Sequence, residues 1–471
     1  MKNIHFIGIC GAGMAGIAVM LKNEAYTVSG SDEGFYDPIA SYLKKNGFDL
    51  EPGYRPENIP AKTDTIIIGK HAKLVPESNS EVAHAFQLRN ENRVRILSFA
   101  ELLQEITAHR ERLVVCGSYG KSTATAIIAW CLGVDQKDPG YFIGAQVYGL
   151  KHPCVLGTGP FIFEGDEYPS ANWDDRSKFE FYNPHHLLLT SGEHDHVNVF
   201  PTHESFLERF ERLIAQLPAD GICVGCIEND SVNRLLLSAP HAITYGVDQG
   251  IWHATDIVWG DETSFDLYKN EVFIITLHTS LLGKHNIQNI VGAAAFLIET
   301  NNLTAEAFAT GIKTFKGVRR RLDRIDDKGI VPIYEGFGSA YAKARSAIEA
   351  VHLHYANKKI YCIFEPHTFS WRDPAMMYWY KDVFNDVENV LIVTPPVAHG
   401  KDILGQTTPV EMLNAIESPV NSKQLSSSQE EALQIITQTI RGKEHEYCIL
   451  ILTSGEALGL GPVLSHWSQS L

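Results

Sequence analysis

Short runs rich in valine, isoleucine and leucine recur along the chain, separated by longer stretches of helical character, the alternation expected of parallel α/β sheets. The first unit reads as a strand Ile4–Gly8, a glycine turn and a helix to about Lys22. Further strands are expected at Tyr26–Gly30, Thr65–Gly69 and Ile96–Phe99, the last leading into a helix with Glu101 and Glu105. A second unit opens at Arg112–Cys116, again strand, glycine turn and helix, and continues with strands at Phe161–Phe163, His186–Thr190 and Ile222–Val224. A β-rich patch from about Ile243 to Leu277 and a helix from about Asn286 to Glu299 follow. The alternation restarts at Ile330–Tyr334, Lys359–Phe364, Val390–Val393 and Cys448–Leu452. The polar connector His109–Arg112 and the run Phe315–Arg321 mark the breaks, which gives three α/β domains in series at 1–108, 109–324 and 325–471. No solenoid period or low-complexity tract interrupts them.

A length of 471 residues fits three domains of roughly 150 residues each. Forty Lys and Arg against 56 Asp and Glu leave a net charge of -16, which argues against a general nucleic-acid or anionic-membrane binder. A small anionic ligand in one local pocket remains compatible with that balance. The eight cysteines are too few for a secreted disulfide scaffold, and Cys223 and Cys226, inside an apolar run, read as buried strand residues rather than zinc ligands. The N-terminal apolar stretch is broken by Gly8, Gly11, Gly13 and Gly16, so it reads as strand, turn and helix instead of an export signal. No apolar run reaches the ~18 residues of a membrane span. A cytoplasmic protein is expected.

Two glycine-rich turns carry the first chemistry. Gly11-Ala12-Gly13-Met14-Ala-Gly16 is a GxGxxG between strand and helix, where the backbone can approach a diphosphate and the helix N-terminus stabilises its charge. Asp32, about 20 residues on, stands where an acid meets a ribose hydroxyl, with Ser31 beside it. By itself the motif does not separate NAD, FAD and a UDP-sugar. Gly117-Ser118-Tyr119-Gly120-Lys121-Ser122-Thr123 is a compact phosphate loop, shorter than the usual GxxxxGK[ST] because Val115 stands where glycine is wanted. Its successive N–H groups would cradle a nucleoside triphosphate, Lys121 would pair with β/γ oxygens, and Ser122 would ligate magnesium. Glu164-Gly-Asp166-Glu167 and Glu193-His194-Asp195-His196 each follow an apolar strand, where acids commonly hold magnesium beside a phosphate loop. Asn286 and Asn289 share one face of a helix start, suited to capping or to an adenine edge, and Arg319-Arg320-Arg321 offers a cation for a γ-phosphate.

Taken in order, these motifs resemble the Mur ligases, the ATP-dependent amide-forming enzymes of peptidoglycan synthesis and recycling, over most of the chain. Within that family Phe6–Met14 is similar to the uridine-diphosphate loop of the members acting on UDP-N-acetylmuramate, which would replace the NAD reading. The resemblance implies an N-terminal Rossmann-like domain for the UDP-sugar, a central P-loop ATPase-like domain, and a C-terminal Rossmann-like domain for the amine. The stretches Glu164–Tyr168, Asp175–Phe179 and Glu193–Pro201 look most like the members that add a murein tripeptide in recycling, whereas Pro366-His367-Thr-Phe-Ser370 looks more like those that add L-alanine. Peptide addition therefore ranks first and L-alanine addition second. The family mechanism implies ATP and Mg²⁺ as cofactors, with Ser122, Glu164 and His196 as metal ligands. It further implies Lys121 with Arg320 or Arg321 at the transferring phosphoryl group, Asn286 and Asn289 at adenine, and Gly11, Ala12, Gly13, Met14, Ser31, Asp32 and His367 at the substrates.

One departure stands out. Where the family carries two aspartates, an aromatic, a small residue, two histidines and proline, this chain reads Glu335-Gly-Phe-Gly-Ser-Ala-Tyr341, and the family's C-terminal glycine-rich segment becomes Thr453-Ser-Gly-Glu456. Either Glu335 compensates or the reaction is altered or weak. A non-catalytic sensor of a UDP-muramyl ligand is accordingly a competing reading. An NAD-dependent oxidoreductase ranks last, because it leaves the Gly-Lys-Ser-Thr loop without a purpose.

Overall fold

The computed structural model describes residues 2–50, 52–194, 199–326, 329–394 and 407–471. Three sheets account for the fold, one in each third of the chain. The first holds β1 (Asn3–Ile7), β2 (Thr27–Ser31), β3 (Thr65–Ile68) and β4 (Arg95–Leu97) in the order β2-β1-β3-β4, all parallel. Its inner strands β1 and β3 are largely apolar and buried, as expected where both faces of a parallel sheet are covered, whereas the edge strand β2 (Thr-Val-Ser-Gly-Ser) is polar. Asn79 caps the helix Ser80–Asn90, and a Ser98–Glu101 capping box starts the helix Phe99–Ile106.

The central sheet comprises β5 (Arg112–Cys116), β6 (Gly140–Phe142), β7 (Cys154–Val155), β8 (Phe161–Glu164), β9 (His186–Leu189), β10 (Ile222–Cys226), β11 (His241–Tyr245), β12 (Trp252–Val258), β13 (Thr263–Lys269) and β14 (Val272–Thr279). Its order is β14-β13-β12-β11-β10-β9-β5-β8-β6-β7, with β5 between β8 and β9. The third sheet holds β15 (Arg321–Arg324), β16 (Ile333–Gly336), β17 (Lys359–Phe364), β18 (Asn389–Val393), β19 (Ser422–Ser426) and β20 (Tyr447–Leu452), ordered β15-β16-β20-β17-β18-β19. Only β15 among its paired strands runs antiparallel. The segment 321–324, expected to close the central block, is thus the edge strand of the third sheet. The eight cysteines are free, and Cys223 and Cys226 are buried in β10.

The chain forms two compact bodies. The first is Met1–Asp256, Phe265–His278 and Ile287–Phe315, and the second is Ile257–Ser264, Thr279–Asn286 and Lys316–Leu471. In the first body a single apolar core runs from the first sheet into the central one, joining Met14, Phe99 and Phe142 to Phe163 and Phe206. In the second, separate cores line the two faces of the third sheet, one around Phe364 and Trp371 and the other around Ile363 and Leu464. Among the described residues no helix is long and apolar enough to cross a membrane.

A buried polar network fixes the first sheet. Glu81, fully buried, accepts from Ser31 Oγ at 2.7 Å, from the Arg55 N–H at 3.0 Å and from Asn58 Nδ2 at 2.9 Å, and lies 2.7 Å from His5 Nε2. The other ring nitrogen of His5 meets Ser29 Oγ at 2.8 Å, so the network spans β1 and β2. Removing one carboxylate would strand several buried donors together. Glu81→Ala is expected to cost roughly 3 kcal/mol or more, at about 1–3 kcal/mol for each unsatisfied buried group. A urea unfolding midpoint within experimental error of the parent would refute this.

Candidate functional site

The first glycine turn lies at the carboxyl end of β1, the crevice where α/β sheets receive ligands. Gly8 and Ile9 donate their N–H groups to Ser31 O, and Gly11 precedes the helix Ala12–Asn23 without any side-chain cap. The first-turn donors of that helix therefore have no side-chain cap, an arrangement that suits an anion. Asp32 turns back onto the turn, accepting from Cys10 N and Glu33 N at 2.8 Å each and from Tyr54 Oη at 3.2 Å. Burial and the neighbouring Asp32 charge push the Cys10 thiol up to about 12. Ser31, expected at the substrate, is instead buried with its hydroxyl on Glu81, so it supports the turn from behind.

The second turn joins β5 to the helix Lys121–Val134. Gly117 and Gly120 have φ of +139° and +82°, both in the region that favours glycine. A Cβ on Gly117 would stand 2.6 Å from Ser191 N, and one on Gly120 would stand 2.5 Å from Asn289 Oδ1. The end of β9 clamps the loop: Ser118 N donates to Ser191 O at 3.3 Å, and Tyr119 N donates to Ser191 Oγ at 2.7 Å. Thr190 Oγ1 donates to Tyr119 O, and Ser118 Oγ donates to Glu193 O.

The turn after β8 supplies three acids, each with its own partner. Ser122 Oγ donates to Glu164 Oε1 at 2.5 Å, and Gly144 N donates to Glu164 Oε2 at 2.6 Å. Lys121 Nζ donates to both oxygens of the fully buried Glu167, at 3.2 and 3.0 Å. Burial works against the Lys121 charge, but Glu167 outweighs it and holds the ammonium above the usual lysine range. Lys178 Nζ donates to Asp166 Oδ2 at 2.5 Å. Burial alone would raise the Asp166 carboxyl; the Lys178 charge and hydrogen bond overcome this and hold it below the ordinary range.

These two turns line one cavity of about 700 Å³. Gly11, Gly13, Met14 and Asp32 border one part, and Lys121 and Glu164 border another. Ser122 and Glu164 present adjacent hard oxygen donors, which suits magnesium: that ion takes one or two protein groups and fills its shell with phosphate and water. Among the described residues no three His, Cys, Asp or Glu converge into a ready-made metal cage. His196, expected as a further ligand, lies outside the described residues. Asn289 is buried against Gly120, whereas the Asn286 amide donates to Leu282 O at 2.8 Å as a local helix bond.

In the second body, Arg320 Nε lies 3.2 Å from Glu335 Oε1, and its Nη2 donates to Gly455 O. Burial raises the Glu335 carboxyl, only partly offset by Arg320. Both residues, with Thr453 and Gly455, border a cavity of about 330 Å³ beside the carboxyl ends of β16 and β20. Exposed Arg321 stands in β15, and half-exposed His367 follows β17 with Nδ1 3.7 Å from Glu365 Oε1. Asp166 and Glu167, expected with Glu164 as acids for magnesium, instead pair with Lys178 and Lys121, and Lys178 is the cavity residue that the sequence did not mark as a site candidate. The acids were visible as a run after an apolar strand, but Lys178 gave no spacing signal, because a looping excursion returns it to the cavity.

Residues 3–111 match the "Mur ligase family, catalytic domain" and residues 115–297 the "Mur ligase middle domain". The chain is 30% identical over 418 residues, 85% of each chain, to a UDP-N-acetylmuramate–L-alanine ligase of Ruthia magnifica subsp. Calyptogena magnifica. It is 28% identical over 340 residues, 72% of this chain and 73% of the other, to the UDP-N-acetylmuramate–L-alanyl-gamma-D-glutamyl-meso-2,6-diaminoheptandioate ligase of Haemophilus influenzae. The crystal structure of a UDP-N-acetylmuramate-alanine ligase from Thermotoga maritima superposes with a TM-score of 0.75 at 21% identity, covering all of both chains.

The depressed Asp166 carboxyl ties stability to pH. Its contribution is present above the unfolded value of about 4 and lost as pH falls through the lower folded value. Asp166→Asn is expected to cost about 1–2 kcal/mol at pH 7, between exposed and buried ion pairs. The gap to the parent should close as the pH drops below about 4. Denaturant titrations across pH 3–8 check this, and a gap independent of pH would contradict it.

Proposed function

The chain belongs to the Mur ligase family, the ATP-dependent amide-forming ligases of peptidoglycan synthesis, and from that premise we propose that it joins the lactyl carboxylate of UDP-N-acetylmuramate to L-alanine. The observation that carries the reading is the continuous cavity from the GxGxxG turn to Lys121 and Glu164. Such a space suits a substrate with a diphosphate at one end and a carboxylate that must meet a γ-phosphate at the other. Peptide addition, first in the reading of the sequence, moves to second. The Ruthia relative, named for L-alanine, aligns over 85% of the chain, and the Haemophilus relative, named for the peptide, over 72%.

In this reading Gly11, Gly13, Met14 and the uncapped helix Ala12–Asn23 hold the diphosphate, and Asp32 fixes the turn that presents them. The carboxylate attacks the γ-phosphate of ATP, ADP leaves, and the resulting acyl phosphate is electrophilic at neutral pH. The amine then displaces phosphate through a tetrahedral intermediate. Lys121, kept ionised by Glu167, neutralises charge that develops on the transferring phosphoryl oxygens. Magnesium held by Ser122 and Glu164 would add further charge neutralisation between phosphate and carboxylate. Asn289, beside Gly120, is assigned to the nucleotide with Asn286 further along the same helix start. Arg320 or Arg321 is assigned the second cation of that transfer, and in the second body Arg320 is held by Glu335 and Gly455 O. The crevice at the carboxyl ends of the third sheet, near His367, is assigned to the amine.

A coupled phosphate-release assay tests the reading with UDP-N-acetylmuramate, ATP and either L-alanine or the tripeptide. Release is expected only with all three substrates, and faster with L-alanine. Faster turnover of the tripeptide would reinstate the second reading. Calorimetric binding of the UDP-sugar with no amide product from either amine would leave a non-catalytic sensor. Lys121→Met is expected to lower kcat by about 10³-fold or more, in line with loss of one preorganised charge at a transferring group.

A further inference from the structure

We propose that Lys178 is the residue that recognises the carboxylate of the sugar substrate, a role that rests on the cavity being the UDP-N-acetylmuramate site. Lys178 borders the same cavity as Lys121, Glu164 and Asp166. Its position is fixed by the excursion that leaves β8 and returns. Lys178 N donates to Tyr168 O at 2.9 Å, Pro169 and Ser177 form an antiparallel bridge, and Ser170 N donates to Arg176 O at 3.0 Å. A capping box between Ser177 and Glu180 then starts the short helix Lys178–Phe181. The ammonium is therefore delivered by backbone geometry rather than by a flexible loop tip.

Its surroundings are those of a binding group and not of a solvated surface lysine. The side chain is only 16% exposed, and Nζ lies 5.5 Å from the centre of the Phe99 ring and 5.8 Å from that of Tyr168. Asp166 takes one of the three N–H donors of an ammonium, and the cavity lies before the remainder. Phe99 also borders the cavity and packs on Phe142, which abuts Gly13. Lys178 thus borders the same cavity as the glycine turn and the acids at the end of β8, while in this reading the diphosphate has its own donors at the uncapped helix. A carboxylate approaching a γ-phosphate meets like charge, and a second cation beside Lys121 offsets that repulsion. Lys70, another cation on the wall, is directed instead to Ala171 O at 3.2 Å.

Calorimetric titration of the full chain separates the two anionic groups of the substrate. UDP-N-acetylglucosamine keeps the diphosphate and lacks the lactyl carboxylate. Lys178→Met is expected to weaken UDP-N-acetylmuramate binding about 10- to 100-fold, the loss of one charge-assisted contact, and to change UDP-N-acetylglucosamine binding less than 2-fold. Lys178→Arg should recover most of the affinity, which guards against a merely folding-defective variant. Equal losses for both sugar nucleotides, or no loss for either, would overturn the proposal while leaving the cavity assignment intact. Failure of the parent protein to bind either nucleotide would overturn the cavity assignment and this role together.

Discussion

The site depends on the matching of three carboxylates, all within one four-residue turn, to three different partners. Glu164 takes the Ser122 hydroxyl, Glu167 the Lys121 ammonium, and Asp166 the Lys178 ammonium. Unmatched acids beside a phosphate cradle would repel the ligand the cradle is built for. Matched, they hold each cation at a defined point, and Glu167 keeps the Lys121 ammonium charged despite burial. A phosphate reaching Lys121 competes with a buried carboxylate for the same donors, so weakly charged ligands gain little there. The clamp of β9 on the loop, through Thr190 and Ser191, keeps the cradle in register with those acids.

Much of this architecture was legible in the residues. Apolar runs fixed nearly every central strand, and the two glycine turns fell between strand and helix as the pattern required. What the pattern missed were the very short β6 and β7 and the polar edge strands β15 and β19. The residues Arg321–Arg324 of β15 read as a cationic connector because an edge strand needs no apolar alternation on its open side. Ile330 to Pro332 was read as strand, yet pairing begins at Ile333. The site divides in the same way. Gly117–Thr123 lies between β5 and its helix as its spacing predicts, whereas Ser31, expected at the substrate, bonds Glu81, and Lys178 carried no spacing signal. Both outcomes depend on tertiary neighbours: Glu81 lies 50 residues from Ser31, and Asp166 lies 12 from Lys178 across a folded-back excursion.

The altered third-sheet segment acquires a physical meaning from the Arg320–Glu335 pair. Glu335 stands near the end of β16 with its carboxyl half-buried and raised by that burial, and a guanidinium within 3.2 Å compensates only in part. Arg320 also bonds Gly455 O, in the same C-terminal segment that departs from the family pattern. The two departures noted in the sequence are therefore one structural unit. Glu335 pairs with Arg320, and Arg320 in turn donates to Gly455 O in the segment after β20.

The location of the resemblances explains why the sequence favoured a peptide over L-alanine. The stretches most like the peptide-adding members, Glu164–Tyr168 and Asp175–Phe179, either border the cavity or form the excursion that carries Lys178 to it. Under the proposed function that cavity takes the sugar nucleotide and the phosphoryl group, which both kinds of ligase share. In the proposed function amine choice is made elsewhere, at the carboxyl ends of the third sheet, where Pro366–Ser370 follows β17 and resembles the alanine-adding members. Similarity in a region common to both reactions has little power to rank them, however long the matching stretch. If the amine binds at the third sheet as proposed, the five residues Pro366–Ser370 bear more directly on the choice, because an amino acid and a tripeptide differ in the contacts they make at the amine.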